Sequence, residues 1–112
     1  MQRHKGLLSS RATELLTEVG SNIDLARTRR RLTVKSVCSR AGITAQTYKR
    51  LVEGEAGVTL AVLLGVLSAL DLEEDFATVA SPALDKVGIS LERAAKPVRI
   101  RNGEDDGLEV DF

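Results

Sequence analysis

The most informative segment of the sequence is VKSVCSRAGITAQTYKRLVE, residues Val34–Glu53. Its middle contains Gly42, which tolerates the positive φ that ends one short helix and lets a second begin. Two short helices can cross closely only where the side chain between them is small, and Cys38 lies at that position. The stretch therefore predicts two crossed helices around a tight turn. The apolar residues that would face their shared core are Val37, Ala41, Ile43, Tyr48 and Leu51.

The second predicted helix leaves four side chains pointing away from this core: Ala45, Gln46, Lys49 and Arg50. Glutamine can pair with the edge of adenine, and arginine with the edge of guanine, in the major groove of DNA. We therefore interpret Val34–Glu53 as a helix-turn-helix and expect these four residues to read bases. The alternative is a helix of the same shape that binds no DNA.

A second group of residues is expected to contact DNA phosphates: Lys35, Arg40, Thr44, Thr47, Tyr48 and Arg29. Tyr48 belongs to the core pattern, and we expect its hydroxyl to emerge at the rim of the core. Basic side chains that neutralise phosphates make DNA binding steeply dependent on salt. The alternative for Arg29 is that it belongs to a solvated helix end together with Arg27, Arg30 and Arg31. Cations interact favourably with the helix dipole at the C-terminus of a helix.

Helical periodicity continues on the N-terminal side. After a basic arm at residues 1–6, apolar residues recur at spacings of three and four from Ser10 onward. Gly20 is expected to break or bend this run. Ser21 would then cap a new helix, with Asp24 completing a variant capping box. The pattern predicts an extra N-terminal helix before the helix-turn-helix domain.

On the C-terminal side, the sequence predicts a strongly apolar helix that runs to Leu70 and a further turn or two at residues 72–79. After Lys96-Pro97 the apolar period changes to two. A short hairpin, an intermolecular strand and disorder all stay open for this tail. Threonine is expected to cap three helices, at Thr33, Thr44 and Thr59.

We thus expect an all-α fold with an N-terminal arm and helix at 1–20, a helix-turn-helix domain at 21–80 and a C-terminal extension at 81–112. The formal net charge of zero hides a division along the chain. Residues 1–60 carry eleven Lys and Arg against five Asp and Glu, whereas residues 61–112 carry five against eleven. A basic half favours nucleic-acid binding, although charge alone is equally typical of solvated faces.

Several classes of function lack the residues that they need. One cysteine and one histidine exclude an intrachain disulfide and a cysteine-rich or histidine-based metal cage. No catalytic constellation and no phosphate-binding glycine loop is present, so we expect no catalytic residue, no metal and no cofactor. No apolar run reaches the roughly 20 residues of a membrane span, and no secretory signal is visible. We expect a cytoplasmic protein associated with the nucleoid.

Residues 21–72 resemble the Xre or lambda-repressor-like helix-turn-helix family. The resemblance implies a five-helix bundle in which Ala45, Gln46 and Arg50 read bases. Two positions depart from the family pattern. Val34 stands where a glutamine usually anchors a phosphate, and Val52 stands where a glutamate usually pairs with the residue at Arg27. Arg27 is therefore left for another partner.

A closer likeness is to the HipB-like antitoxins. It rests on TYKRLVEGEAGVTLAVLLGVLSALDLEEDFATVA followed by DKVGISLERAAKPVRIR. The likeness implies a dimer that represses its own operon and binds a HipA-like serine/threonine kinase toxin. A stand-alone Xre-type regulator without a toxin, and an interaction adaptor with weak DNA binding, are the alternatives.

The apolar content also predicts a homodimer. A bundle of roughly 60 residues is marginally stable alone, and its later helices are more apolar than one small core requires. Two copies would place two recognition helices about 34 Å apart on a palindromic double-stranded operator. The residues expected at the dimer interface are Leu67, Leu70, Leu72 and Phe76.

Overall fold

The computed structural model describes residues 7–95, and within them the chain forms five α-helices, two 3₁₀-helices and no strand. The all-α prediction is confirmed. The basic arm at residues 1–6 and the period-two tail after Lys96-Pro97 lie outside the described residues. The α-helices are α1 (Ser10–Arg29), α2 (Val34–Ala41), α3 (Ala45–Val52), α4 (Leu60–Ala69) and α5 (Lys86–Ala95), and the 3₁₀-helices are Glu73–Thr78 and Pro82–Leu84.

The same capping device starts three of these helices. The hydroxyl oxygens of Thr33, Thr44 and Thr59 each accept a hydrogen bond from the backbone N–H three residues on. These bonds satisfy N–H groups that the first turn of a helix otherwise leaves without a partner. At the other end of α2, Gly42 has a φ of 71° and donates its N–H to the carbonyl of Cys38. The predicted caps and the predicted turn are confirmed.

Gly20 does not break the first helix, and that prediction was wrong. Helix α1 runs without interruption for 20 residues from a cap at Ser9, so neither a break at Gly20 nor a new start at Ser21 exists. A Cβ at Gly20 would lie 2.6 Å from the carbonyl carbon of Val52, at the end of α3. The glycine therefore serves the close approach of two helices, not a bend in one.

The core lies where α1, α2, α3 and α4 meet, with α2 packed on α4 and α1 packed on α3. Cys38 is buried in this core as a free thiol, as expected of a small core residue, and its place at the helix crossing stays a prediction. Burial raises the pKa of this thiol. The buried residues are Ile23, Val37, Cys38, Tyr48, Leu51, Val66, Leu67 and Leu70.

Two residues predicted at a dimer interface belong to this core instead. Leu67 is 9% exposed and Leu70 is 1% exposed within a single chain. They have almost no surface left for a partner, so assigning them to an interface was wrong. Leu72 and Phe76 are partly buried against the same core and keep some exposed surface.

The described residues divide into two compact units, residues 7–76 and 77–95. In the described part of the second unit, the 3₁₀-helix Pro82–Leu84 contacts α5. Asp85 starts α5 by accepting a hydrogen bond from the N–H of Gly88 at 2.9 Å. The predicted limits at residues 20 and 80 stay a prediction. Across residues 7–95, no helix is long and apolar enough to span a bilayer.

Candidate nucleic-acid interface

Helix α3 presents one exposed stripe to its surroundings. Ala45, Gln46 and Lys49 are all exposed, whereas Tyr48 and Leu51 on the opposite side are buried. Residues at these spacings share one face of a helix with 3.6 residues per turn. The predicted outward orientation of these three side chains is confirmed, and their contacts with bases stay a prediction.

A hydrogen-bonded cluster ties the other side of α3 to α1. The Tyr48 hydroxyl donates to Asp24 Oδ1 at 2.8 Å and accepts from Arg27 Nε at 3.1 Å. Arg27 Nε also lies 3.1 Å from Asp24 Oδ1, and its Nη1 donates to the carbonyl of Leu32 at 2.8 Å. The cluster satisfies polar groups that would be costly to bury alone. It fixes the rotation of α3 about its own axis relative to α1.

The cluster changes the role of Tyr48. Its side chain is 3% exposed and its hydroxyl is engaged, so the predicted contact of this hydroxyl with a phosphate was wrong. Burial and the neighbouring Asp24 carboxylate raise the pKa of Tyr48 to about 12, so the hydroxyl stays a donor. The hydrogen bond from Tyr48 in turn lowers the pKa of Asp24.

Arg27 thus has partners other than the glutamate with which the helix-turn-helix family usually pairs it. The sequence predicted that Arg27 has another partner, and the structure supplies Asp24 from one turn earlier on α1 and Tyr48 from α3. The Arg27 guanidinium carbon also lies 6.0 Å from the centre of the Tyr48 ring, within range of a cation–π contact. The sequence analysis identified neither partner. The i, i+3 spacing of Asp24 and Arg27 is a local signal that could have indicated the first contact, whereas no local signal indicates the link from Asp24 to Tyr48.

Comparison with known protein families decides what this arrangement is. The family model of the Cro/C1-type HTH DNA-binding domain matches residues 22–75. Residues 22–75 are a Cro/C1-type helix-turn-helix DNA-binding domain. The match runs from the middle of α1 into the first 3₁₀-helix and includes both crossed helices. Neither a curated protein nor a solved structure was found to match the chain.

In the Cro/C1-type domain, the predicted phosphate contacts differ in how their side chains are held. The Thr44 hydroxyl accepts from the Thr47 N–H at 3.1 Å and also donates to the Thr47 hydroxyl, so both belong to the capped start of α3. Arg40 Nη1 donates to the carbonyl of Ala69 at 3.3 Å, at the end of α4. Lys35 and Arg29 are exposed. None of these positions excludes a phosphate contact, and all stay predictions.

Arg50 departs from the expected open orientation. It lies at the edge of the exposed stripe of the Cro/C1-type domain, with 38% of its side chain exposed. Its Nε donates to Glu55 Oε1 at 3.0 Å. Glu55 was not predicted to have a role, because it follows α3 in a glycine-containing loop whose course the residue pattern does not reveal. The Arg50 side chain is therefore paired with Glu55 and does not extend freely into solvent.

Proposed function

We propose that this protein is a sequence-specific transcriptional repressor that binds a palindromic DNA operator as a homodimer. The observation that carries the proposal is the exposed stripe of Ala45, Gln46 and Lys49 on the helix that follows the turn in a Cro/C1-type domain. A helix in this position can enter the major groove, where glutamine discriminates adenine. Ala45 can contact the methyl group of thymine.

The charge of the first unit supports contact with the DNA backbone. Residues 1–60 carry most of the basic side chains of the chain. Lys35 and Arg29 are exposed, and Arg40 is exposed apart from its contact with α4. Each phosphate neutralised by such a residue releases a counterion, so the affinity falls as salt is added.

The homodimer is supported by apolar surface that the core does not cover. Leu72 and Phe76 keep part of their surface exposed and stay candidates for the interface. In α4, Leu60 and Leu64 are exposed as well. Two recognition helices are needed to read two half-sites one helical turn apart, which is why we propose a two-fold assembly.

The proposal is tested by enrichment of duplexes from a random DNA pool, followed by sedimentation of the protein with the enriched duplex. We expect a palindromic consensus, two chains per duplex and an affinity that falls steeply with salt. Enrichment of no consensus would contradict sequence-specific binding. One chain per duplex would contradict the homodimer.

The second candidate function is that of a HipB-like antitoxin, which would add a HipA-like kinase toxin as a partner. What favours it is the apolar surface of the second unit, where Leu84, Val87 and Leu91 are each about two-thirds exposed. Such a surface is typical of protein-binding sites. The test is to mix the full chain with the product of a neighbouring kinase-like gene. A stable complex with reduced kinase activity is expected, and normal kinase activity without a complex favours a stand-alone regulator.

A further inference from the structure

The loop after α3 is held firmly against α1. Gly54 has a φ of 79°, a left-handed conformation that few residues other than glycine adopt. A Cβ at Gly54 would lie 2.8 Å from the Cα and the backbone nitrogen of Thr17. Since Gly54 packs directly against the backbone of α1, the residue that follows it has a defined position.

That residue, Glu55, contacts Arg50 twice. Its backbone N–H donates to the carbonyl of Arg50 at 3.1 Å, and its Oε1 accepts from Arg50 Nε at 3.0 Å. The two bonds join the same pair of residues through main chain and side chain. The main-chain bond therefore keeps the two side chains within reach of each other.

Because Glu55 accepts from Nε of Arg50, the other nitrogens of the guanidinium determine which further hydrogen bonds Arg50 can make. Nε is the guanidinium nitrogen nearest the main chain, so the two terminal nitrogens are left to donate. Two parallel N–H donors match O6 and N7 of guanine. A guanidinium that is already oriented loses less side-chain entropy when it makes that contact.

We propose that Glu55 is a positioning residue that orients Arg50 toward guanine and so sets one base preference of the protein. The inference rests on the proposed function, because it requires that α3 lies in the major groove. The Glu55 carboxylate also repels phosphates, so it disfavours the alternative in which Arg50 turns to the DNA backbone. Glu55 thus raises discrimination between sequences more than it raises affinity for DNA in general.

The test compares Glu55→Ala, Glu55→Gln and the control Glu53→Ala on the enriched operator and on duplexes in which single guanines are replaced. We expect Glu55→Ala to lower the guanine preference roughly 3- to 5-fold, which is the upper part of the range of an exposed ion pair. Affinity for unrelated DNA should stay level or rise. Glu55→Gln should keep most of the preference, because its amide oxygen accepts the same bond. Glu53→Ala removes an equal charge two residues away and should leave the preference unchanged.

A second measurement links the effect to Arg50. In an Arg50→Ala background, Glu55→Ala should have no further effect on base preference, because nothing is left to orient. An unchanged preference in Glu55→Ala alone overturns the inference. Operator binding by Glu55→Ala that tightens more than its binding to unrelated DNA overturns it too, since Glu55 would then compete with the operator for Arg50. A wild-type protein that enriches no sequence instead overturns the proposed function, and this inference falls with it.

Discussion

The two faces of α3 consist of neighbouring residues but have opposite surroundings. The outer face, Ala45, Gln46 and Lys49, is exposed along its length. The inner face, Tyr48 and Leu51, is buried against α1 and the core. The inner face carries the hydrogen bonds of the Tyr48 hydroxyl to α1, and both of its side chains belong to the core, so we expect that face to determine the stability and orientation of α3. The outer face is left for a partner.

The contrast between the two faces indicates that stability and recognition are separable within the eight residues of α3. A substitution on the inner face is expected to change the free energy of unfolding, and through it the amount of folded protein. A substitution on the outer face is expected to change binding while the free energy of unfolding stays within about 0.5 kcal/mol. Arg50 lies between the two faces, and its pairing with Glu55 gives it properties of both.

The largest expected effect separates a buried from an exposed leucine at the two ends of α4. Leu70→Ala removes a side chain that is 1% exposed, and we expect a loss of about 2–5 kcal/mol in the free energy of unfolding. Leu60→Ala is the matched control, because Leu60 is 69% exposed and should cost less than about 0.5 kcal/mol. Urea denaturation followed by circular dichroism measures both. Equal losses in the two variants would contradict the assigned core.

Replacing either of two helical glycines with alanine should change the free energy of unfolding, but in opposite directions. Gly20→Ala would bring a methyl group against the Val52 carbonyl, and we expect about 1–3 kcal/mol of destabilisation. Gly65→Ala meets its nearest neighbouring atom, the Ala41 carbonyl oxygen, at an ordinary 3.6 Å. It should gain up to about 1 kcal/mol from the higher helix propensity of alanine. Chemical denaturation of both variants measures the two changes. A stabilised Gly20→Ala protein would show that α1 and α3 lie further apart than the contact of Gly20 with Val52 requires.

Tyr48→Phe removes only the hydroxyl that joins the inner face of α3 to Asp24 and Arg27. We expect a loss of about 1 kcal/mol, because the bond involves a carboxylate that is partly exposed to water. The chain has one tyrosine and no tryptophan, so the ultraviolet absorbance of tyrosinate reports Tyr48 alone. In the folded protein its titration should centre near pH 12, and in urea near the ordinary value of about 10. A folded-state midpoint near 10 would contradict the buried cluster.

The same cluster gives stability a defined pH dependence. Because the pKa of Tyr48 is raised on folding, its contribution is fully present below about pH 10 and is lost as the pH rises toward 12. Because the pKa of Asp24 is lowered, its contribution is present above its ordinary value of about 4 and is lost on further acidification. Tyr48→Phe should remove the part of the alkaline loss that comes from Tyr48, leaving that of the buried Cys38 thiol, and should weaken the acidic loss.

Much of this fold could be predicted from local chemistry. Threonines at Thr33, Thr44 and Thr59 and the glycine at Gly42 act within four residues of where they stand, so their sequence context is sufficient. The outward orientation of Gln46 follows from helical periodicity in the same way. The structure confirms these predictions.

The features that were missed depend on contacts between distant segments. Glycine can break a helix or admit a close neighbour, and only the position of Val52 shows which role Gly20 has. The strongly apolar α4 has no clear amphipathic face, so the pattern could not separate core Leu70 from exposed Leu60. The bond from Tyr48 to Asp24 spans 24 residues, and no local spacing predicts it.

The most direct test of the division between the two faces compares wild type with Gln46→Ala, using duplex enrichment and urea denaturation on the same preparations. We predict an unchanged free energy of unfolding, within about 0.5 kcal/mol, and a loss of about 1–3 kcal/mol of discrimination at one base pair in each half-site. A Gln46→Ala protein that keeps the full wild-type preference would contradict the account, as would one that loses binding only because it unfolds.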